Sequence, residues 1–342
     1  MRLNRVLAAA SLLTVAALAA APTLTSGQAA AAPDPRATYS FAVIGDVPYG
    51  ADQIAAFPGW IRQINADPAV RSVVHLGDIK NGSSLCTDAY FELIRADFDT
   101  FEDPLVYTPG DNEWTDCHRT NNGAYNPLER LDKVREVFFD VPGVTLGQKS
   151  FPVEAQAGFP ENVIYHKAEV TFVAANVTGS NNGLQPWSGL GYTEPTPEQV
   201  AAVQARTDAD IAALRQAFAE AKDHEDRGVV VMQQADMFDP TYTPTWNDIG
   251  AFQPWVQALI DEASAFDGPV YLMDGDSHVY NTDKPLASGS PWLTTYDVHG
   301  SADNLTRVTV DGSSNNKDWL KVTVTKPGSA SLLTWQRVPY TS

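Results

Sequence analysis

Residues 39–46 read YSFAVIGD, residues 72–78 SVVHLGD, residues 104–111 PLVYTPGD and residues 269–276 PVYLMDGD. Each is a short apolar or β-branched run that ends in Gly-Asp, the pattern of a buried strand that delivers an acid to the loop at its carboxyl end. A fifth run, GVVVMQQAD over residues 228–236, meets Gln233 and Gln234 before its acid, Asp236. Helical patterns lie between these strands. Residues 53–66 form one, interrupted by Pro58, and residues 88–101 another, with Tyr90, Leu93, Ile94 and Phe98 on one face. Pro127 opens a third, with Leu128, Leu131, Val134 and Phe138 at helical spacing. Residues 197–222 form the longest, begun by Thr196 with Glu198 and Gln199, and residues 248–266 the last. The alternation predicts an α/β fold of βαβ units, with ligands held beyond the carboxyl ends of the strands. VIYHKAEVTFVAANV (residues 163–177) and the C-terminal runs TRVTVDG, LKVTVTKPG and SLLTWQRV read as antiparallel.

The chain has 342 residues, 44% of them hydrophobic and 19% charged, with 23 Gly and 23 Pro, which excludes a disordered, collagenous or coiled-coil protein. Acidic residues outnumber basic ones 42 to 23, a net charge of −19. That balance argues against binding to a nucleic-acid backbone, which needs cations to displace counterions. Residues 1–32 read as an export signal: Arg2 and Arg5, an apolar run over residues 6–21, then QAAAAP with cleavage near Ala30 or Ala32. The mature chain, residues 33–342, is expected to be one domain, secreted or extracytoplasmic, without a membrane span. Export permits a disulfide, and Cys86 and Cys117 allow one pairing, closing a loop worth about 3 kcal/mol by chain entropy.

Four acids gathered at one sheet edge repel each other, and divalent cations are the economical way to hold them together. The order and spacing of the blocks resemble the calcineurin-like metallophosphoesterases, whose pattern is D-x-H, G-D, G-N-H-[DE], a lone His after a strand, and G-H-x-H. The matching blocks here are Asp46-Val47-Pro48, Gly77-Asp78, Gly110-Asp111-Asn112-Glu113, Gln233-Gln234 and Gly275-Asp276-Ser277-His278. The resemblance implies a four-layer fold, a β-sandwich core flanked by helices. It implies a metal-dependent phosphoesterase acting on a small phosphomonoester or phosphodiester. Asp78 would bridge two metals, with Asp46 and His278 on the first and Asp111, Gln234 and Asp276 on the second. Two metals about 3.5–4 Å apart would activate a water and clamp the oxygens of an in-line displacement. Asn112 stands at the family's transition-state His. If the third block slips by one residue, Asn112 becomes the ligand and Glu113 the acid.

Several family His residues are replaced: Pro48, Asn112, Gln234 and Asp276 stand in their places or beside them. The ligand changes keep oxygen donors, which favours Mg, Mn or Ca over Zn or Fe. A non-catalytic relative that binds a ligand or partner is the alternative. A serine hydrolase built on Gly275-Asp276-Ser277 is disfavoured by the late position of that block. Tyr49 is expected to pack against its loop, a phenolate ligand being the alternative. His118 is expected at the surface and His75 in the core, while His166, His224 and His299 have no supporting pattern. A Cys86–Cys117 bridge would tie two metal-site loops together. Residues 178–193 would form a substrate rim walled by Trp187 and Tyr192.

Overall fold

The first strand, β1 (Tyr39–Ile44), sets the layering. Phe41 and Val43 join one apolar cluster, and Ala42 and Ile44 join another on the opposite side. A strand buried on both faces reads as a continuous apolar run, which is why alternation is missing from YSFAVI. The computed structural model describes residues 38–241 and 243–341, so the export signal expected over residues 1–32 lies outside the described residues.

β1 pairs in parallel with β2 (Val70–His75), and β2 with β3 (Leu105–Tyr107). A second group comprises β4 (Glu154–Gln156), β5 (Phe159–His166), β6 (Thr171–Ala174), β7 (Val229–Met232), β8 (Val270–Asp274), β9 (Asn281–Asp283) and β10 (Leu305–Thr309). The chain closes with β11 (Asp318–Val324) and β12 (Leu333–Pro339). The strands form two mixed sheets, ordered β12-β11-β1-β2-β3 and β4-β5-β6-β7-β8-β10-β9.

Three apolar layers hold the sheets. Between them, Phe41, Val43, Val74 and Leu76 of the first meet Phe172, Val230, Met232 and Met273 of the second. Outside the first sheet pack α1 (Gly50–Asn65), α2 (Asp88–Phe98) and α3 (Pro127–Phe138), through Phe57, Ile61, Phe91, Ile94, Val134 and Phe138. Outside the second pack the long helix Pro197–Asp223 and the helix Gln253–Ser264, through Leu214, Phe218, Trp255 and Leu259. The result is the expected α/β/β/α layering.

Helix starts follow the capping signals. Asn126 accepts from Leu128 N and Glu129 N ahead of Pro127, and Thr196 and Gln199 form a reciprocal capping box. Three expectations need correction. In α2 the buried face is Phe91, Ile94 and Phe98, and Leu93 is exposed. Residues 246–264 split at Gly250 into Trp246–Ile249, a 3-10 turn and Gln253–Ser264, because Pro254 starts a new helix rather than continuing one. The TRVTVDG run is not antiparallel to its main neighbour: β10 pairs in parallel with β8, Leu305 opposite Val270. Apolar alternation reports which faces are buried and carries no strand direction. The antiparallel readings hold for β5 with β6, for β11 with β12 and for β10 with its other neighbour β9, Arg307 opposite Asp283.

Candidate metal centre

The loops after β1, β2, β3, β7 and β8 leave their sheets at the same end. They carry Asp46, Asp78, Asp111, Gln234 and Asp276 to one place. The backbone there is unusual. Asp46 (φ 54°), Asp78 (57°), Asp276 (66°) and His278 (64°) all adopt the left-handed conformation, each at a cost on the order of 1–2 kcal/mol. Strain of this kind persists where surrounding structure over-determines it, and it concentrates at functional sites. Close approach requires small residues: a Cβ on Gly77 would lie 2.6 Å from Gly110 N, and one on Gly110 would collide with the Asp78 carboxylate.

Two groups of ligand atoms result. Asp46, Asp78 and His278 each offer an atom within 4.8 Å of the others, and so do Asp78, Asp111 and Asp276. Asp78 belongs to both. Its Oδ1 accepts from Asn112 N (3.1 Å), and its Oδ2 accepts from Asn112 Nδ2 (2.6 Å) and Tyr49 Oη (2.7 Å). His278 Nε2 stands 3.4 Å from Asp46 Oδ1 and 3.4 Å from Tyr49 Oη. Gln234 Oε1 accepts from Gly179 N (2.6 Å), and its Nε2 lies 3.5 Å from Asp111 Oδ1. A Cβ on Gly179 would stand 3.0 Å from Asp276 Oδ2, so this glycine keeps the space beside the acids open. Carboxylate oxygens and one imidazole around such a space suit a hard divalent cation, while the Gln234 amide turns its Nε2 to Asp111 and its Oε1 to Gly179 N.

Electrostatics point the same way. Burial, then Asp111, Glu113, Asp46 and Asp276, hold the Asp78 carboxyl well above its usual range. Burial and the neighbouring acids do the same to Asp276, and burial raises Asp46 against the pull of His278. Burial lowers the His278 imidazole, but the hydrogen bond and charge of Asp46 outweigh it and the net shift is upward. Without cations these acids share too little solvent to ionise together; cations supply the missing counter-charge.

Glu113 is placed differently from the acid role that a one-residue slip would give it. It is fully buried, and its Oε1 accepts from Gly110 N (2.6 Å), Asp78 N (3.1 Å) and Tyr107 Oη (2.8 Å). It therefore braces the loops after β2 and β3 from behind. Asp111 joins Asp78 and Asp276, and Asn112 meets Asp78 through its backbone N and Nδ2.

Tyr49 does not merely pack against its loop: its hydroxyl sits among Asp78, Asn112 and His278, because the turn through Pro48 aims it inward. His118 is buried, not at the surface; its Nδ1 accepts from Gly189 N (3.3 Å), and burial lowers it to about 4. His75 is in the core as expected, its Nε2 2.9 Å from Val47 O. Of the 178–193 loop, Trp187 is buried and Tyr192 exposed, and Ser180 is the residue that reaches the acids. Ser180 Oγ lies 3.0 Å from Asp111 Oδ2 and 2.7 Å from Asp116 Oδ1, and burial pushes Asp116 up to about 7. Lys80 Nζ donates to Asn112 O (2.7 Å), and burial brings its ammonium down to about 8. Ser180 lies in the loop expected as the substrate rim, whereas neither Lys80 nor Asp116 sits in a sequence pattern that could have marked it. Cys86 and Cys117 are disulfide-bonded, and their sulfurs lie 3.5 and 3.6 Å from Asn112 O.

The calcineurin-like phosphoesterase family model matches residues 39–200; Gln234, Asp276 and His278 lie beyond that span. No curated protein matches the sequence. Solved structures similar to the chain include GAP50, the anchor in the inner membrane complex of Plasmodium. It has 9% identity and a TM-score of 0.44, with 89% of this chain and 90% of that one covered. Another is the 5'-nucleotidase precursor from Thermus thermophilus, at 11% identity and a TM-score of 0.42, with 88% of this chain and 54% of that one covered. Among the described residues no helix is long and apolar enough to cross a membrane.

Proposed function

We propose that this chain, which carries a calcineurin-like phosphoesterase domain over residues 39–200, is an exported, metal-dependent phosphoesterase acting on a small phosphomonoester or phosphodiester. Its leader would be residues 1–32, with residues 33–342 as the single mature domain. The observation that carries the reading is the sharing of Asp78 between two ligand groups, Asp46–Asp78–His278 and Asp78–Asp111–Asp276.

Asp78 would bridge two cations, with Asp46 and His278 completing one site and Asp111, Gln234 and Asp276 the other. The oxygen-rich set favours Mn, Mg or Ca. Bound cations would neutralise phosphoryl oxygens and acidify water for attack at neutral pH. The chain's own groups bind and orient. Asn112 Nδ2 and Tyr49 Oη stand beside Asp78 as neutral donors for a phosphoryl oxygen. Asn112 cannot hand over a proton as an imidazolium does. Burial, Asp78 and Asp46 raise the Tyr49 hydroxyl above its ordinary range, and its Oη donates to Asp78 Oδ2. Glu113, Lys80 and the disulfide act as positioning groups for the Asp111–Asn112 loop.

The test is elemental analysis of the purified protein, together with hydrolysis of p-nitrophenyl and bis-p-nitrophenyl phosphate. About two divalent ions per chain, with turnover lost to chelator and restored by Mn or Mg, is the expected result. The amide of Asn112 where the family has an imidazole favours a second reading, a non-catalytic relative that binds a ligand or partner. Stoichiometric metal without turnover of either ester would support that reading instead.

A further inference from the structure

His166, His224 and Asp226 meet at the other end of the second sheet from the acids. His166 ends β5, Thr171 beside it begins β6, and Asp226 precedes β7, whereas the acidic centre lies past the ends of β7 and β8. The local fold explains the meeting. The long helix Pro197–Asp223 is capped at His224, and Glu225 takes the left-handed conformation (φ 55°). Asp226 N then donates back to Ala221 O (2.8 Å) and Glu225 N to Lys222 O (3.2 Å), the paired bonds of a Schellman turn. The turn swings Asp226 back beside His224, and both face the end of β5.

The atoms converge on one point. His166 Nδ1 lies 3.0 Å from Asp226 Oδ2 and 3.2 Å from His224 Nδ1. The three ligand atoms fall within 4.8 Å of one another. Ligands at about 2.0–2.1 Å from a tetrahedral zinc stand roughly 3.3 Å apart, close to these spacings. The far nitrogen is also committed: His166 Nε2 lies 2.9 Å from Glu220 Oε2. A carboxylate there holds the Nε2 proton and leaves the Nδ1 lone pair free to ligate, the arrangement that orients metal-bound histidines. Thr171 Oγ1 donates to Asp226 Oδ2 (2.6 Å) and fixes that carboxylate.

We propose that His166, His224 and Asp226 bind a divalent transition-metal ion of the zinc class, with water in the remaining position and Glu220 and Thr171 as supports. Two imidazoles and one carboxylate suit zinc, nickel or copper, while the oxygen-rich centre suits harder ions. The ion would join the end of β5 to the helix terminus and to the segment entering β7, which makes it a structural clamp. The site stands independently of the function proposed above.

The experiment is equilibrium dialysis of the full chain against zinc, comparing wild type, His224→Ala and Glu220→Gln, with and without Asp78→Ala. His224 is exposed at a helix end, so its removal leaves the fold intact. The expected result is one zinc equivalent fewer in His224→Ala than in wild type, and the same loss in the Asp78→Ala background. Zinc affinity should weaken roughly 10- to 100-fold in Glu220→Gln. Zinc should also raise the thermal midpoint of the Asp78→Ala protein but not of Asp78→Ala/His224→Ala. Equal zinc uptake by wild type and His224→Ala overturns the proposal. In that case His166 is an imidazole paired with Glu220 and Asp226 and nothing more.

Discussion

Tyr49 Oη donates a 2.7 Å hydrogen bond to Asp78 Oδ2, and Asn112 Nδ2 reaches both groups, at 2.8 Å and 2.6 Å. One knot thus joins the loops after β1, β2 and β3. A hydrogen bond to a charged acceptor contributes about 1.5–3 kcal/mol. Tyr49→Phe should therefore lower kcat/KM toward p-nitrophenyl phosphate by roughly 10- to 100-fold, with metal content unchanged at saturating Mn. Kinetics and elemental analysis on the same sample check this. Unchanged kcat/KM would reduce Tyr49 to a packing residue.

Asp78 is shared by the two ligand groups, whereas Asp276 belongs to one. The variants should differ in kind. Asp78→Ala should retain no stoichiometric metal at this centre and no turnover, while Asp276→Ala should lose one ion and keep the other. Elemental analysis distinguishes them, and turnover surviving in Asp78→Ala would dismantle the site assignment.

Chelation should destabilise the protein in a pH-dependent way. Asp46, Asp78 and Asp276 are raised above their usual range, by burial first and then, for Asp78 and Asp276, by the charge of Asp111. A carboxyl raised on folding binds more protons folded than unfolded. Its stabilising contribution is complete below the unfolded value of about 4 and is lost as pH climbs toward the folded one. Metal removes that penalty by taking the protons' place. Chelator should therefore lower the thermal midpoint more at pH 8 than at pH 5, as calorimetry would read. An equal drop at both would contradict it.

The disulfide has a position that chain entropy alone does not require. Cys86 and Cys117 are 31 residues apart, and their bridge lies against the carbonyl of Asn112, which Lys80 holds from the other side. Cys86→Ser/Cys117→Ser should cost about 3 kcal/mol in stability. It should also lower kcat at saturating metal, because the Asn112 peptide loses one wall. Denaturant unfolding and kinetics separate the two effects, and a full loss of stability with kcat intact would leave the bridge as a staple only.

Much of this was legible in the sequence because the signal is local. The Gly-Asp ends of YSFAVIGD, SVVHLGD, PLVYTPGD and PVYLMDGD do converge, since parallel strands bring their carboxyl ends to one edge. Strand direction was not legible: TRVTVDG looks the same in either sense, and only its pairing with β8 decides. The places of Tyr49 and Glu113 were not legible for a related reason. The inward aim of Tyr49 depends on the turn through Pro48, and the burial of Glu113 depends on Gly110, Asp78 and Tyr107 meeting in space. The His166–His224–Asp226 group was invisible because His166 is separated from the other two by the whole of β6 and the long helix.

Asp210 offers a pH test away from the acidic centre. It is fully buried on the long helix, 3.6 Å from Arg206 Nη1, and accepts from Asn162 Nδ2 at 2.7 Å. Burial pushes its carboxyl up to about 7 despite Arg206. By the linkage sign, wild type gives up part of this group's contribution as pH rises from about 4 through 7, and Asp210→Asn does not. At pH 5 the protonated Asp210 already gives Arg206 no counter-charge, so wild type and Asp210→Asn should be close in stability there. By pH 8 wild type should have fallen behind the variant by on the order of 1 kcal/mol or more. Urea unfolding of both proteins at the two pH values measures it. A difference that does not change between the two pH values would mean that Asp210 is ionised throughout and that the Arg206 pair, not burial, governs it.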